Sequence, residues 1–268
     1  MVREPQGTPA EPVHELVAAI RDGLAELADP VRAEGTRAYM KSAMPYRGLT
    51  TAARRGLVRA AQAATPPAEA GAWLASILAL WREAAYREER YAAIDLLIDR
   101  RAAAWRTPAL VPTIEELVVT GAWWDLVDPV ATHALGDLLG RFHGEVRPVV
   151  AAWAGDSGPS HTGTKHRPVF GAGHLWLRRS AVICQVKAKA ATDTALLEHC
   201  IEANIGQRDF FIRKAIGWAL REYAKTDPDW VAAFVGGHAD RLSPLSRREA
   251  LKHIGVPAGQ PLPRQESP

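Results

Sequence analysis

The sequence predicts an all-α fold in which helix pairs stack side by side as a curved α-solenoid, an α-α superhelix. Apolar residues recur at three-to-four spacing along nearly all of its 268 residues. Pro, Gly and N-capping residues divide the chain into about a dozen such segments, and no run alternates in the manner of paired strands with hairpin turns. The length suits one continuous array, so residues 1–268 are expected to form a single repeat domain with an ordered core over about 12–254.

The elements follow in order. PVHELVAAIRDGLAELAD (12–29) places Val13, Leu16, Val17, Ile20, Leu24 and Leu27 on one stripe. Further helices are expected over 30–43, 50–64, 68–81, 87–104, 109–120, 125–141, 145–154, 174–188, 192–204, 209–224, 228–235 and 244–254. Asp29-Pro30, Thr107-Pro108, Asp227-Pro228 and Ser243-Pro244 have the form of an N-cap with Pro at the first helical position, and Thr192 opens the segment after a lysine-rich end. Helices of this length joined by short linkers cannot bury their stripes alone, and stacking pairs in a HEAT-like array solves that problem. One stretch differs: GDSGPSHTGTKHRPVFGAGH (155–174) is rich in Gly, Pro, Ser and His and is expected to be a surface loop inserted at 155–173. Its His161, His166 and His174 match no compact metal-ligand spacing. No metal or other cofactor is expected.

Composition excludes several classes. With 47% hydrophobic and 24% charged residues, the chain is globular and not disordered. No stretch approaches the 18 or so apolar residues of a membrane span, and MVREPQGTPAEP lacks the apolar core of a signal peptide. Cys184 and Cys200 lie in helical segments without metal-ligand spacing and are expected to be buried small hydrophobes in a reduced, cytoplasmic setting. Charge is unevenly distributed. Residues 61–160 hold 8 Lys and Arg against 13 Asp and Glu, whereas 161–252 hold 15 against 9. A basic C-terminal portion is compatible with a polyanion-binding face, although charge runs usually just solvate a surface.

Three stretches carry candidate chemistry. In HLWLRRSAVICQVKAK (174–189), Leu177, Ala181 and Cys184 anchor a helix from which Arg178 and Arg179 either solvate a surface or hold a guanidinium fork toward phosphate. In DFFIRKAIGWALREYAK (209–225), Phe210, Phe211, Ala215, Ala219 and Leu220 can pack inward, while Trp218 falls among Arg213, Lys214, Arg221 and Lys225 and beside Gly217. An indole framed by cations fits a face that reads a polyanionic backbone and an apolar sugar or base; lateral packing on the next helix pair is the competing explanation. In TGAWWDLVDPVA (120–131), Asp128 before Pro129 can be an N-cap. Alternatively, the helix runs through and places Trp124 and Asp128, four residues apart, on one face as a carboxylate–ring pair.

These stretches have a family look. YMKSAMPYRGL (39–49), REERYAAIDLL (87–97), IEELVVTGAWWDLVD (114–128), LWLRRSAVICQ (175–185), FFIRKAIGWALREYAKTDPDWVAAFV (210–235) and LSPLSRREALKHI (242–254) together resemble the DNA-alkylation-repair family of HEAT-like-repeat alkylpurine DNA glycosylases, in order over most of the chain. The resemblance implies a concave face that holds duplex DNA, and base excision without flipping into a deep pocket. It implies that Trp124 lies against the damaged nucleotide, that Asp128 is catalytic, that Trp218 is the tryptophan of the IGW motif beside the sugar, and that Arg179 contacts phosphate. Arg178, Arg213 and Lys214 would add phosphate contacts, and Tyr39 and Lys41 would lie near the opposite strand. Trp123 and Asp125 would serve the fold. The 155–173 insertion departs from the pattern and adjoins the arginine helix, which puts the range of lesions in doubt.

The function so implied is a monofunctional glycosylase that hydrolyses the N-glycosidic bond of cationic 3- or 7-alkylpurines in double-stranded DNA, as a monomer and without a membrane. A self-protection glycosylase for bulky alkyl adducts would share the same site. A noncatalytic DNA- or protein-binding scaffold would leave Trp124, Asp128, Arg179 and Trp218 dispersed.

Overall fold

The computed structural model describes residues 10–155 and 174–254. The 155–173 insertion beyond Gly155, with His161 and His166, lies outside the described residues, as do both chain ends. Among the described residues there are fourteen α-helices, four short 3-10 or π segments and no strand. The all-α, helical-repeat class expected from the sequence is the class found. No helix among the described residues is long and apolar enough to cross a membrane. The chain divides into two compact units, residues 1–105 and 106–268.

The first unit comprises α1 (His14–Glu26), α2 (Pro30–Met40), α3 (Thr51–Ala64), α4 (Ala70–Arg82), α5 (Arg87–Ile98) and a 3-10 segment, Arg100–Trp105. Leu16, Val17, Ile20 and Leu24 of the predicted stripe are buried, and α1 packs on α3, α4 and α5. Leu27 is 51% exposed because α1 has already ended when the chain reaches it. Trp73, Ile77, Leu80 and Trp81 of α4 are fully buried against the small and aliphatic face of α5 (Ala92, Ala93, Leu96, Leu97). Asp29 caps α2 by accepting the Arg32 N–H, with Pro30 at the first helical position. The 39–49 and 87–97 motifs explain each other: buried Glu88 accepts the backbone N–H groups of Arg47 (3.0 Å) and Gly48 (2.8 Å). Gly48 has φ +85°, and a Cβ there would lie 2.2 Å from the Asp29 carbonyl oxygen, so the turn requires glycine.

The second unit comprises α6 (Val111–Gly121), α7 (Trp124–Pro129), α8 (Gly136–Arg141), α9 (His143–Ala154), α10 (Leu175–Ile183), α11 (Thr194–Glu202), α12 (Phe210–Tyr223), α13 (Pro228–Gly237) and α14 (Pro244–Ala250). Two 3-10 turns, Pro108–Leu110 and Lys189–Ala191, and a π-helical segment, Val130–Leu135, complete it. α10 is the hub: it packs against α6, α7, α9, α11 and α12, and every residue from Trp176 to Ile183 is buried. The predicted one-sided stripe on this helix is therefore too narrow. Asp193, Asp209, Asp227 and Ser243 each accept a first-turn backbone N–H, and capping of this kind is worth about 1 kcal/mol per helix. Cys184 and Cys200 are buried free thiols, and burial pushes the Cys184 thiol up to about 12, which keeps it protonated and inert.

Candidate active site

The backbone settles the capping question at Asp128. Trp123 is extended and occupies the N-cap position of α7, so the helix begins at Trp124 and Asp128 sits inside it. Pro129 continues the helix but offers no N–H, which removes one α-type hydrogen bond. The helix widens immediately afterwards into the π segment at Val130–Leu135 before returning to α geometry at Gly136. Segments of this kind gather at functional sites. A Cβ on Gly136 would lie 2.4 Å from the carbonyl oxygen of Cys184, so the glycine lets the helix following Asp128 close onto the end of α10.

That close approach sets Asp128 opposite Arg179. The guanidinium donates from Nε to Asp128 Oδ1 (2.8 Å) and from Nη2 to Oδ2 (2.7 Å), a bidentate pair. Its Nη1 donates to the Phe211 carbonyl oxygen at 2.7 Å, so one arginine joins α7, α10 and α12. The side chains are 5% and 16% exposed, respectively, for Arg179 and Asp128. Burial raises the Asp128 carboxyl above the usual carboxylate range; the Arg179 fork opposes that rise and the nearby Asp125 charge adds to it.

An aromatic wall adjoins the pair. Trp123, Trp176 and Phe211 meet in a cluster with ring centroids 5.0–6.1 Å apart, and Phe210 stands edge-on to Phe211. Trp124 stays outside this cluster and is 37% exposed, one helical turn before Asp128 and therefore on its face. Trp123 thus packs in the fold, while Trp124 is offered to solvent. Trp218 is half-buried and lies seven residues after Phe211 on α12, which returns it to nearly the same side of that helix, about 10 Å further along.

The other expected residues are placed differently. Arg178 does not face solvent: it is buried and donates to the Ala154 carbonyl (3.2 Å) and to Asn204 Oδ1 (3.0 Å), holding the end of α9 against α10. Its reading as a second phosphate contact is corrected, because α10 is enclosed on both of its arginine-bearing sides. Arg179 likewise presents no open fork; three of its five N–H groups are engaged within the protein. The cations around Trp218 do not form a free basic frame. Lys214 pairs with Glu249 at 2.9 Å, Arg221 pairs with the same carboxylate, and Lys225 pairs with Glu222 at 2.6 Å. Arg213 is half-buried, and its Nε lacks an acceptor among the described residues. Gly217 serves α14: a Cβ there would lie 2.6 Å from the Glu249 Cβ, so the close approach is between helices. Phe210, taken as inward-facing, is 54% exposed. In the first unit, Tyr39 is 77% exposed, and Lys41 is exposed in the left-handed C-cap of α2. Neither Trp176 nor the Phe211 carbonyl was legible as a neighbour of the site, although Trp176 lies one turn before Arg179.

Residues 20–158 and 169–254 match the family described as "DNA alkylation repair enzyme". Among solved structures, the chain is similar to a "Predicted DNA alkylation repair enzyme from Enterococcus faecalis", with a TM-score of 0.69 and 29% identity, over 85% of this chain and 97% of that one. No curated protein matches.

Proposed function

The chain belongs to the DNA alkylation repair enzyme family, and from that premise we propose that it is a monofunctional DNA glycosylase that hydrolyses the N-glycosidic bond of cationic 3- or 7-alkylpurines in duplex DNA. The observation that carries the proposal is a single carboxylate, Asp128, held in two bonds by a buried arginine one helical turn from the exposed indole of Trp124. Alkylation at N3 or N7 makes the purine a cation, so the base departs neutral and needs no protonation by the enzyme. The barrier that remains is the positive charge developing on the deoxyribose as the bond opens. A preorganised carboxylate stabilises that charge and orients the attacking water, and the faces of Trp124 and Trp218 stabilise the same charge through their π systems.

Arg179 favours the ionised form of the Asp128 carboxylate and aims it, acting from within the protein as a positioning residue. A second carboxylate to act as a general acid is not required by this chemistry, which separates it from glycosidases built on an acid–base pair. The lysine of α12 is engaged by Glu249, in keeping with hydrolysis without an imine step.

The test is base release from duplex DNA that carries either 7-methylguanine or a neutral lesion such as uracil. Release of 7-methylguanine with little or no release of the neutral base is the expected result. Equal release of both would overturn the charge-selective mechanism, and binding with no release of either would make the chain a noncatalytic scaffold.

A further inference from the structure

The second unit carries another cluster of ligating groups on α11 and α13, none of which belongs to the Asp128 site. Glu198 and Glu202 are four residues apart on α11, so both carboxylates lie on one face, an arrangement that repels itself in the absence of a cation. His238 is the C-cap residue of α13 and reaches Glu202. The ligand atoms of Glu198, Glu202 and His238 all lie within 4.8 Å of one another.

The imidazole is oriented by groups outside that cluster. Its Nδ1 lies 2.8 Å from the Phe234 carbonyl oxygen, which can only accept, so Nδ1 carries the proton. In the neutral ring this leaves the lone pair on Nε2, and Nε2 points at Glu202 Oε1 from 3.1 Å. Two acceptors at that distance require a cation or a second proton between them. A ring nitrogen fixed by a backbone carbonyl while the other faces carboxylates is the outer-shell arrangement of a metal-ligating histidine. The ring is also held in place by stacking: His238 on Phe234 at 4.2 Å, and Phe234 on Trp230 at 5.2 Å.

The cleft beside the cluster has a volume of about 960 Å³, and Glu198, Asp227, Asp229, His238 and Asp240 supply its titratable lining. No Lys or Arg is among the described residues that line it. Such a cleft concentrates cations. Asp227 is already used as the cap of α13, so the cluster itself supplies the ligands.

We propose that Glu198, Glu202 and His238 bind one divalent transition-metal ion of the zinc class, with the remaining coordination positions open to the cleft. One imidazole and two carboxylates at this separation suit zinc or cobalt better than the oxygen-seeking magnesium or calcium. The ion would clamp the C-terminal end of α13 to α11 and relieve the repulsion between the two glutamates.

The experiment is a calorimetric titration of the chelator-treated full chain with zinc chloride, with cobalt chloride in parallel for its visible absorption. One equivalent is expected to bind, and zinc at a hundredfold excess over its dissociation constant should raise the thermal midpoint by roughly 5–10 °C. His238→Gln and Glu202→Gln should each weaken binding by at least about 10-fold, the lower end of what losing even an outer-shell partner costs. His199→Gln, which alters an exposed histidine on the same helix outside the cluster, should bind like the parent. Absence of binding to the parent chain, or unchanged affinity in both His238→Gln and Glu202→Gln, would overturn the proposal. Glu202 is exposed, so its variant keeps the test valid should His238→Gln fail to fold.

Discussion

Each unit buries a carboxylate against arginine, and the two pairs differ in what surrounds them. In the first unit Asp95 takes Arg54 at 2.7 Å and Arg55 at 3.2 Å, two guanidiniums on one carboxylate, and the pair ties α3 to α5. Tyr91 lies under Arg54, so the aromatic contact there is made to the cation. In the second unit Asp128 has a single arginine, and the ring nearest in sequence, Trp124, is exposed on the face of the carboxylate. Buried ion pairs as such say little about function or even stability. What distinguishes the candidate site is a carboxylate held in place without being neutralised twice, with an open aromatic face beside it.

That comparison is broken most strongly by removing the arginine. Arg179→Ala leaves a buried carboxylate and the Phe211 carbonyl without their partner. Chemical denaturation should show a loss of about 3–5 kcal/mol, accompanied by loss of base release. The matching change in the first unit, Asp95→Ala, should be somewhat milder at about 3 kcal/mol, because Arg55 is half-exposed and can return to water. Its folded fraction should excise at the parental rate; a catalytic defect there would remove the distinction between the two pairs. Trp124→Ala and Trp218→Ala should each slow single-turnover release about tenfold, the size of a desolvated cation–π contribution, with little change in unfolding free energy for exposed Trp124.

The smallest effect is one of pH. Asp128 must be ionised to work, and its carboxyl is raised by burial, so activity should fall on the acid side at a pH above that of an ordinary carboxylate. The stability signs run differently. A raised folded-state value means that protonating Asp128 favours the folded form, and that contribution is lost as pH rises through the raised value. Asp137 and Asp193, lowered chiefly by Arg106 and Arg141 and by the Leu196 N–H and Arg147 respectively against the opposing pull of burial, contribute stability above their unfolded values that disappears as pH falls through the folded ones. Activity should therefore decline before the fold does. A pH–rate profile that tracks unfolding monitored by circular dichroism would contradict this order.

The helices were legible because their physical signals are local. The Asp29, Asp227 and Ser243 caps, each followed by Pro, mark their helix starts as expected, and four of the six stripe residues of α1 are buried. The partners of α10 were not legible. Arg178 and Arg179 find Ala154, Asn204, Asp128 and Phe211 at sequence separations of 24 to 51 residues, which no local pattern encodes. An arginine pair next to an apolar stripe reads as solvated until the helix proves to be enclosed. Asp128 was ambiguous for a different reason: Asp-Pro has the same form whether it opens a helix or, as here, sits within one that loosens into a π segment. Gly217 was uninformative for the same reason as α10, since the neighbour for which it makes room is α14, about thirty residues further along the chain.

The most direct test of the central claim is single-turnover release of 7-methylguanine from duplex DNA by Asp128→Asn, measured with DNA affinity on the same preparation. The side chain keeps its shape but loses its charge and one of the two oxygens that accept from Arg179. Release should fall by about 10²–10³-fold while binding stays within a few-fold of the parent. Parental release rates in a folded, DNA-binding Asp128→Asn protein would contradict the assignment of Asp128 as the group that stabilises the sugar cation.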